Sequence, residues 1–166
     1  MKTMRLFPLE LRRLLQSRLT WLIMALTVLS PVLGLVLYKP ATSTTMLSMY
    51  LANPAITGGV AGAILFGLLA IFELDRARRS RMDILTDAVV SPLTTALTRL
   101  LALLTAAVLT AGLTMLAWLP VSAGLIGSVF TGANYVLAYL LLMGRALPLG
   151  ILAAAAAYQF TRRADL

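Results

Sequence analysis

Apolar residues fall in four long runs separated by short polar stretches. Leu19 to Tyr38 holds 20 residues and no charge. As a helix it covers about 30 Å, the hydrocarbon thickness of a bilayer. The second run is Pro54 to Phe72, with Asn53 placed to cap it and Pro54 suited to a first turn. Leu97 to Leu119 is the third, with Arg99 at its entry. Pro120 and the stretch VSAGLIGSVFTGAN then read as a turn. The fourth is Tyr135 to Phe160, interrupted by Arg145 and Pro148. Ahead of the first run, Leu6, Leu9, Leu11, Leu14 and Leu15 interleave with basic residues. That pattern predicts an interfacial helix over 4–17. In the alternative with five spans, an extra crossing lies near Pro120 to Tyr139 and the last helix is short and Ala-rich.

Composition agrees with the runs. Of 166 residues, 60% are apolar and only 12% charged. Soluble chains carry about 25% charged residues, and a soluble domain this small could not hide so much apolar surface. The expected fold is an all-α polytopic membrane bundle, with residues 1–166 forming one transmembrane domain. The spans lie at about 19–38, 54–72, 97–119 and 135–160. The chain has neither Cys nor His. This removes thiol catalysis, the commonest general base and the commonest transition-metal ligand. No catalytic residue, metal site or cofactor is expected, and the chain is not expected to be an enzyme.

Charge then sets an orientation. Basic residues number five before the first span, one in the first connector, five from Glu73 to Arg99, none in the third connector and two in the tail. Alternation of this kind places both termini and the second connector in the cytoplasm of a multi-pass cell-membrane protein. The net charge of +8 is thereby explained by lipid and topology, not nucleic acid. A long apolar run without a small-residue cleavage site predicts a retained span, not a removed signal. Trp21 and Trp118, near span ends, read as interfacial anchors.

The second connector, ELDRARRSRMDILTDAVVSPLTTALTR, is the only long charged segment. On a helix starting at Glu73, the pairs Asp75–Arg79 and Arg79–Asp83 are spaced for i,i+4 contact. Ser91-Pro92 breaks that helix and restarts the chain. Taken alone, the segment reads first as a solvated cytoplasmic loop whose charges only fix topology.

Three stretches resemble the N-terminal part of the type-2 ABC transporter permeases, the ABC-2 class. They are Leu9-Glu10-Leu11-Arg12-Arg13 before the first span, Glu73-Leu74-Asp75-Arg76 after the second, and Ala88-Val89-Val90-Ser91-Pro92-Leu93-Thr94 before the third. Ala155 to Asp165 resembles the cytoplasmic end of that class's fourth span. The resemblance implies a membrane-spanning permease subunit, an exporter, paired with a second permease copy or a related permease. A separate ABC ATP-binding subunit would dock on a coupling segment at 73–96, with Glu73, Asp75, Arg76, Arg79 and Asp83 as the contact residues. Members of the class have six spans, and four here suggest a fragment, a split subunit or a shortened relative. Where the class has a Gly after its E-x-x-R stretch and a Lys entering span three, this chain has Ser80 or Arg81, and Arg99. Independently, the chain has no GxxxxGK[ST] loop, so any ATP is hydrolysed by a partner. The competing reading is a small non-transporting membrane protein that anchors or regulates a larger complex.

Arg145 is the remaining candidate. It falls about ten residues, or about 15 Å, into the fourth span. A cation at that depth faces protein, water or a substrate headgroup, unless the span starts later and the side chain snorkels to the surface.

Overall fold

The computed structural model describes residues 3–37, 47–79 and 91–164. Within them the chain is all-α. The helices are α1 (Thr3–Leu15), α2 (Arg18–Leu29), α3 (Pro31–Leu37), α4 (Leu47–Arg79), α5 (Pro92–Ile126), α6 (Gly132–Ala138) and α7 (Gly144–Ala164). A π-helical turn, Tyr139–Met143, joins α6 to α7. Four spans are long and apolar enough to cross a membrane: Arg18–Leu37, Tyr50–Arg76, Leu93–Val129 and Gly132–Thr161. The chain is therefore a four-span membrane protein among the described residues, and the region from Pro120 to Tyr139 makes no crossing of its own.

Prolines explain where the helices differ from the sequence reading. Pro31 lacks an N–H, so the first span breaks at Ser30, whose hydroxyl instead donates to the Thr27 carbonyl at 2.7 Å. Helix resumes at once as α3. Pro54 does not open its helix, since α4 starts at Leu47 and carries Pro54 inside. Pro120 does not end the third span either. A proline keeps a helical φ, and without competing water the flanking hydrogen-bond ladder holds. Helix α5 stops only at Gly127, where φ is +67°, a conformation that costs glycine little. Its start matches expectation: Pro92 occupies the first turn and the Ser91 hydroxyl accepts from the Thr94 N–H.

The packing is inverted relative to a soluble bundle. Large aliphatics such as Leu22, Leu33, Leu101, Leu113 and Leu116 face outward, while small residues and Thr lie inside. Buried Thr27, Thr110 and Thr114 donate to carbonyls one turn back, at 2.7 to 2.8 Å, so their hydroxyls are satisfied without water. Helices α4 and α7 make the most extensive contact. A Cβ on Gly150 would collide with the backbone of Ala63, and one on Gly59 would lie 3.1 Å from the Leu142 carbonyl. Gly59 and Ala63, four residues apart on α4, thus face a close helix seam, as small-residue spacings do in bilayers. Phe66, Leu69, Met143, Leu147 and Ile151 fill the interior beside it.

Trp118 is not simply an anchor: its indole N–H donates to the Val28 carbonyl at 2.7 Å, tying α5 to α2. The Trp21 N–H caps the Leu15 carbonyl at the end of α1. Helix α1 itself packs along the start of α5, with Leu14 buried and Leu9 and Arg12 outward. Its amphipathic pattern is thus partly answered by protein.

Candidate functional site

The densest polar site lies where α1, α4 and α5 meet, here called the α1 end. Each helix delivers a long charged side chain there from the edge of an apolar run. Five residues form an alternating row: Arg99, Glu10, Arg13, Glu73, Arg76. Arg13 Nη2 donates to Glu73 Oε2 at 2.7 Å. Arg13 Nε lies 3.2 Å from Glu10 Oε2, Arg99 Nε 3.6 Å from Glu10 Oε1, and Arg76 Nη1 3.8 Å from Glu73 Oε1. Glu73 is only 6% exposed. A buried carboxylate is tolerated when cations and hydrogen bonds replace its water, and two arginines do so here. Beside the row, the Tyr158 hydroxyl donates to Asp75 Oδ1 at 3.2 Å and brings the end of α7 to α4.

The row is closed. The cavity that Glu10, Arg13, Glu73 and Arg99 line measures about 10 Å³, scarcely one water. It acts as a brace that holds α1 against two spans. Next to it an apolar notch of about 210 Å³ opens between α4, α5 and α7, lined by Leu74, Leu97, Leu100 and Ala155.

The expected coupling residues separate here. Glu73 points into the brace, Asp75 is half-buried against Tyr158, and Arg76 is exposed. Arg79 ends α4, but its side chain lies outside the described residues, as does all of Asp83. Sequence reading did not assign Glu10, Arg13, Arg99 or Tyr158 to the site. The available signal was Glu10, the lone acid in a strongly basic first helix.

Arg145 lies elsewhere, on the exposed side of α7. Thirteen residues separate it from Tyr158, about 20 Å along the helix. That is well within a hydrocarbon core about 30 Å thick, where an arginine costs about 3 kcal/mol or more if it meets only lipid. It borders a groove of about 280 Å³ between α5 and α7, lined also by Ala107, Ala111, Gly112, Met115 and Tyr139. Among the described residues no carboxylate pairs with it. Tyr135 donates its hydroxyl to the Met115 carbonyl at 2.6 Å. The Tyr139 hydroxyl is fully buried and finds no hydrogen-bond partner among the described residues. Comparison with family models, curated proteins and solved structures finds no match for the chain.

Proposed function

We propose that the chain is the membrane-spanning permease subunit of an ABC exporter, driven by a separate ATP-binding subunit on the cytoplasmic side. The observation that carries this reading is the Arg–Glu row. It joins α1 to the ends of α4 and α5, and the 80–90 connector runs between those two ends. A partner that pushes on the connector would move α1 and two spans together, because the row is continuous and its central carboxylate, Glu73, is buried. In this reading both termini and the connector are cytoplasmic in the cell membrane, as the basic-residue alternation expects. Asp75, Arg76, Arg79 and Asp83 are the contact set, and Glu73 is the group that transmits the push into the bundle.

The packed interior favours a second reading. Phe66, Leu69, Leu147 and Ile151 are fully buried between the spans, so the described residues enclose no route for a substrate. Either a second permease copy completes the path, or the protein does not transport and instead anchors or regulates a larger complex.

Purification of the tagged chain from native membranes in mild detergent tests the choice. An exporter subunit retains a stoichiometric ATP-binding protein, and the purified complex hydrolyses ATP. Replacing Arg79 and Asp83 together by Ala abolishes that retention while membrane insertion persists, since Arg76, Arg78, Arg81 and Arg99 still hold the connector inside. A chain that purifies without ATPase activity, and whose Arg79/Asp83 variant behaves identically, supports the anchoring role.

A further inference from the structure

Arg145 sits at a depth where lipid offers it no anion. Thirteen residues separate it from Gly132, where the fourth span begins, and sixteen from Thr161, where it ends, or about 20 and 24 Å of helix. Lipid phosphates lie outside a core about 30 Å thick, and the three-methylene stem of an arginine falls short of both surfaces from there. The side chain is exposed at the edge of the α5–α7 groove. Ala107, Val108, Leu140 and Leu147 line that groove beside it, and water finds few polar partners among them.

The spans of this chain do not answer the charge. Glu73 and Asp75 are the only acidic residues in the four of them, and both lie at the α1 end. A second copy spanning the same bilayer therefore brings no span carboxylate to the depth of Arg145. A cation inside a bilayer is met by protein or by water, and an apolar groove is a poor home for water. What remains is a carboxylate carried inward on a helix that itself spans, an anion that takes both hydrogen bonds of the planar guanidinium. The surface leaves room for such a helix. Ala107, Ala111 and Gly112 on α5 and Gly144 on α7 border the groove, and a Cβ on Gly112 meets nothing within 4 Å. Small residues of this kind let helix backbones approach closely in lipid.

We propose that the α5–α7 face docks a transmembrane helix of another membrane protein, one with a single Asp or Glu at mid-depth, and that this carboxylate pairs with Arg145. The site does not depend on the transport reading. A related permease, or a complex that the chain anchors, would supply the helix by the same chemistry.

The full chain in phosphatidylcholine vesicles tests it, with synthetic Leu/Ala helices of about 24 residues as probes. One probe carries Glu at its centre, a second Gln there, and a third Glu two turns nearer one end. The chain has no Cys and Ser128 is exposed, so a donor dye on the Ser128→Cys variant and an acceptor on the probe report association by energy transfer. The central-Glu probe should bind roughly tenfold more tightly than the other two, the scale of one interhelical polar contact. Arg145→Gln removes the preference, and Arg145→Lys keeps part of it because charge remains while the planar fork is lost. Arg145→Glu moves the preference to a probe with a central Arg, a gain that only a folded chain can show. Gly112→Leu blocks the approach and weakens association with every charge intact. Equal binding of the central Glu and Gln probes by the wild type overturns the proposal, as does a preference that survives Arg145→Gln. A displaced Glu that binds as well as a central one overturns the mid-depth pairing. Undiminished association in Gly112→Leu overturns the α5–α7 face as the docking surface. Disappearance of the preference when phosphatidylglycerol replaces part of the phosphatidylcholine gives the cation to a lipid headgroup instead.

Discussion

Helix α7 has two sides, and they solve opposite problems. Toward α4 it is closed: Gly150 lies against the Ala63 backbone, Leu147 and Ile151 are buried, and near its end Tyr158 reaches Asp75. Toward α5 it is open, with a groove and an arginine that meets no carboxylate among the described residues. Both sides belong to one stretch of about two turns. The closed side shows that this sequence can pack backbone against backbone where it has glycine on both helices. The open side has Gly112 and Gly144 as well, yet no neighbour comes close to Gly112. Small residues permit contact in a bilayer but do not compel it, because lipid is as apolar as the helix it would leave.

Filling the closed side gives the largest effect. Gly150→Leu puts a Cβ into the Ala63 carbonyl and backbone, which cannot retreat unless α4 moves. Overpacking costs about 1–3 kcal/mol and occasionally more, and a backbone neighbour puts this site at the upper end. Unfolding in SDS mixed micelles should show the loss directly. A midpoint equal to the wild type would mean that α4 and α7 are not in contact at this level.

The brace at the α1 end extends the closed side by charge instead of shape. Glu73→Ala leaves Arg13 and Arg76 facing each other without their shared carboxylate. Breaking a fully buried pair costs about 3–5 kcal/mol. Arg13 is 39% exposed and water screens it, so about 2 kcal/mol is expected in the same unfolding measurement. The double variant Arg13→Met with Glu73→Leu should lose less than Glu73→Ala alone, because the buried carboxylate and the cation facing it go together, Glu10 keeps Arg99, and the Arg76 left behind is exposed to water. A double variant that is worse than the single would show that the row depends on more than this pair.

The four spans and the start of α5 at Ser91-Pro92 were legible because run length and a capped proline act locally. The spacing of Gly58, Gly59 and Gly62 suits a close seam and a lipid-facing helix alike, and only the placement of α7 decides between them. The α5 stop was misread for a physical reason. Pro120 is a breaker in water, but in an apolar segment the helix ran on to Gly127, the residue that takes a positive φ. The brace was hidden because its pairs join distant positions: Arg13 meets Glu73 across 60 residues of chain. Glu73 was singled out for its place at the end of an apolar run, yet that place turned it inward. No pattern along α1 says which of its arginines would meet it. The groove was hidden for the same reason, since Gly112 and Arg145 become neighbours only when α5 and α7 are placed side by side.

The smallest expected effect has the opposite sign and tests the open side alone. Gly112→Ala adds a Cβ with nothing within 4 Å, so no contact is lost and no backbone is pushed. What remains is chain entropy: an interior helical glycine is less favourable than alanine by roughly 0.5–1 kcal/mol. The variant should therefore be about 0.5 kcal/mol more stable than the wild type in SDS unfolding. Alanine at Gly150 makes the identical chemical change and should destabilise, because its Cβ meets the Ala63 backbone. The pair isolates packing from propensity, since both substitutions add one methyl to a glycine inside a spanning helix. If Gly112→Ala destabilises as Gly150→Ala does, a helix covers the groove in the folded protein and α7 is closed on both sides. A gain at Gly112 beside a loss at Gly150 shows that α7 is closed toward α4 and open toward α5.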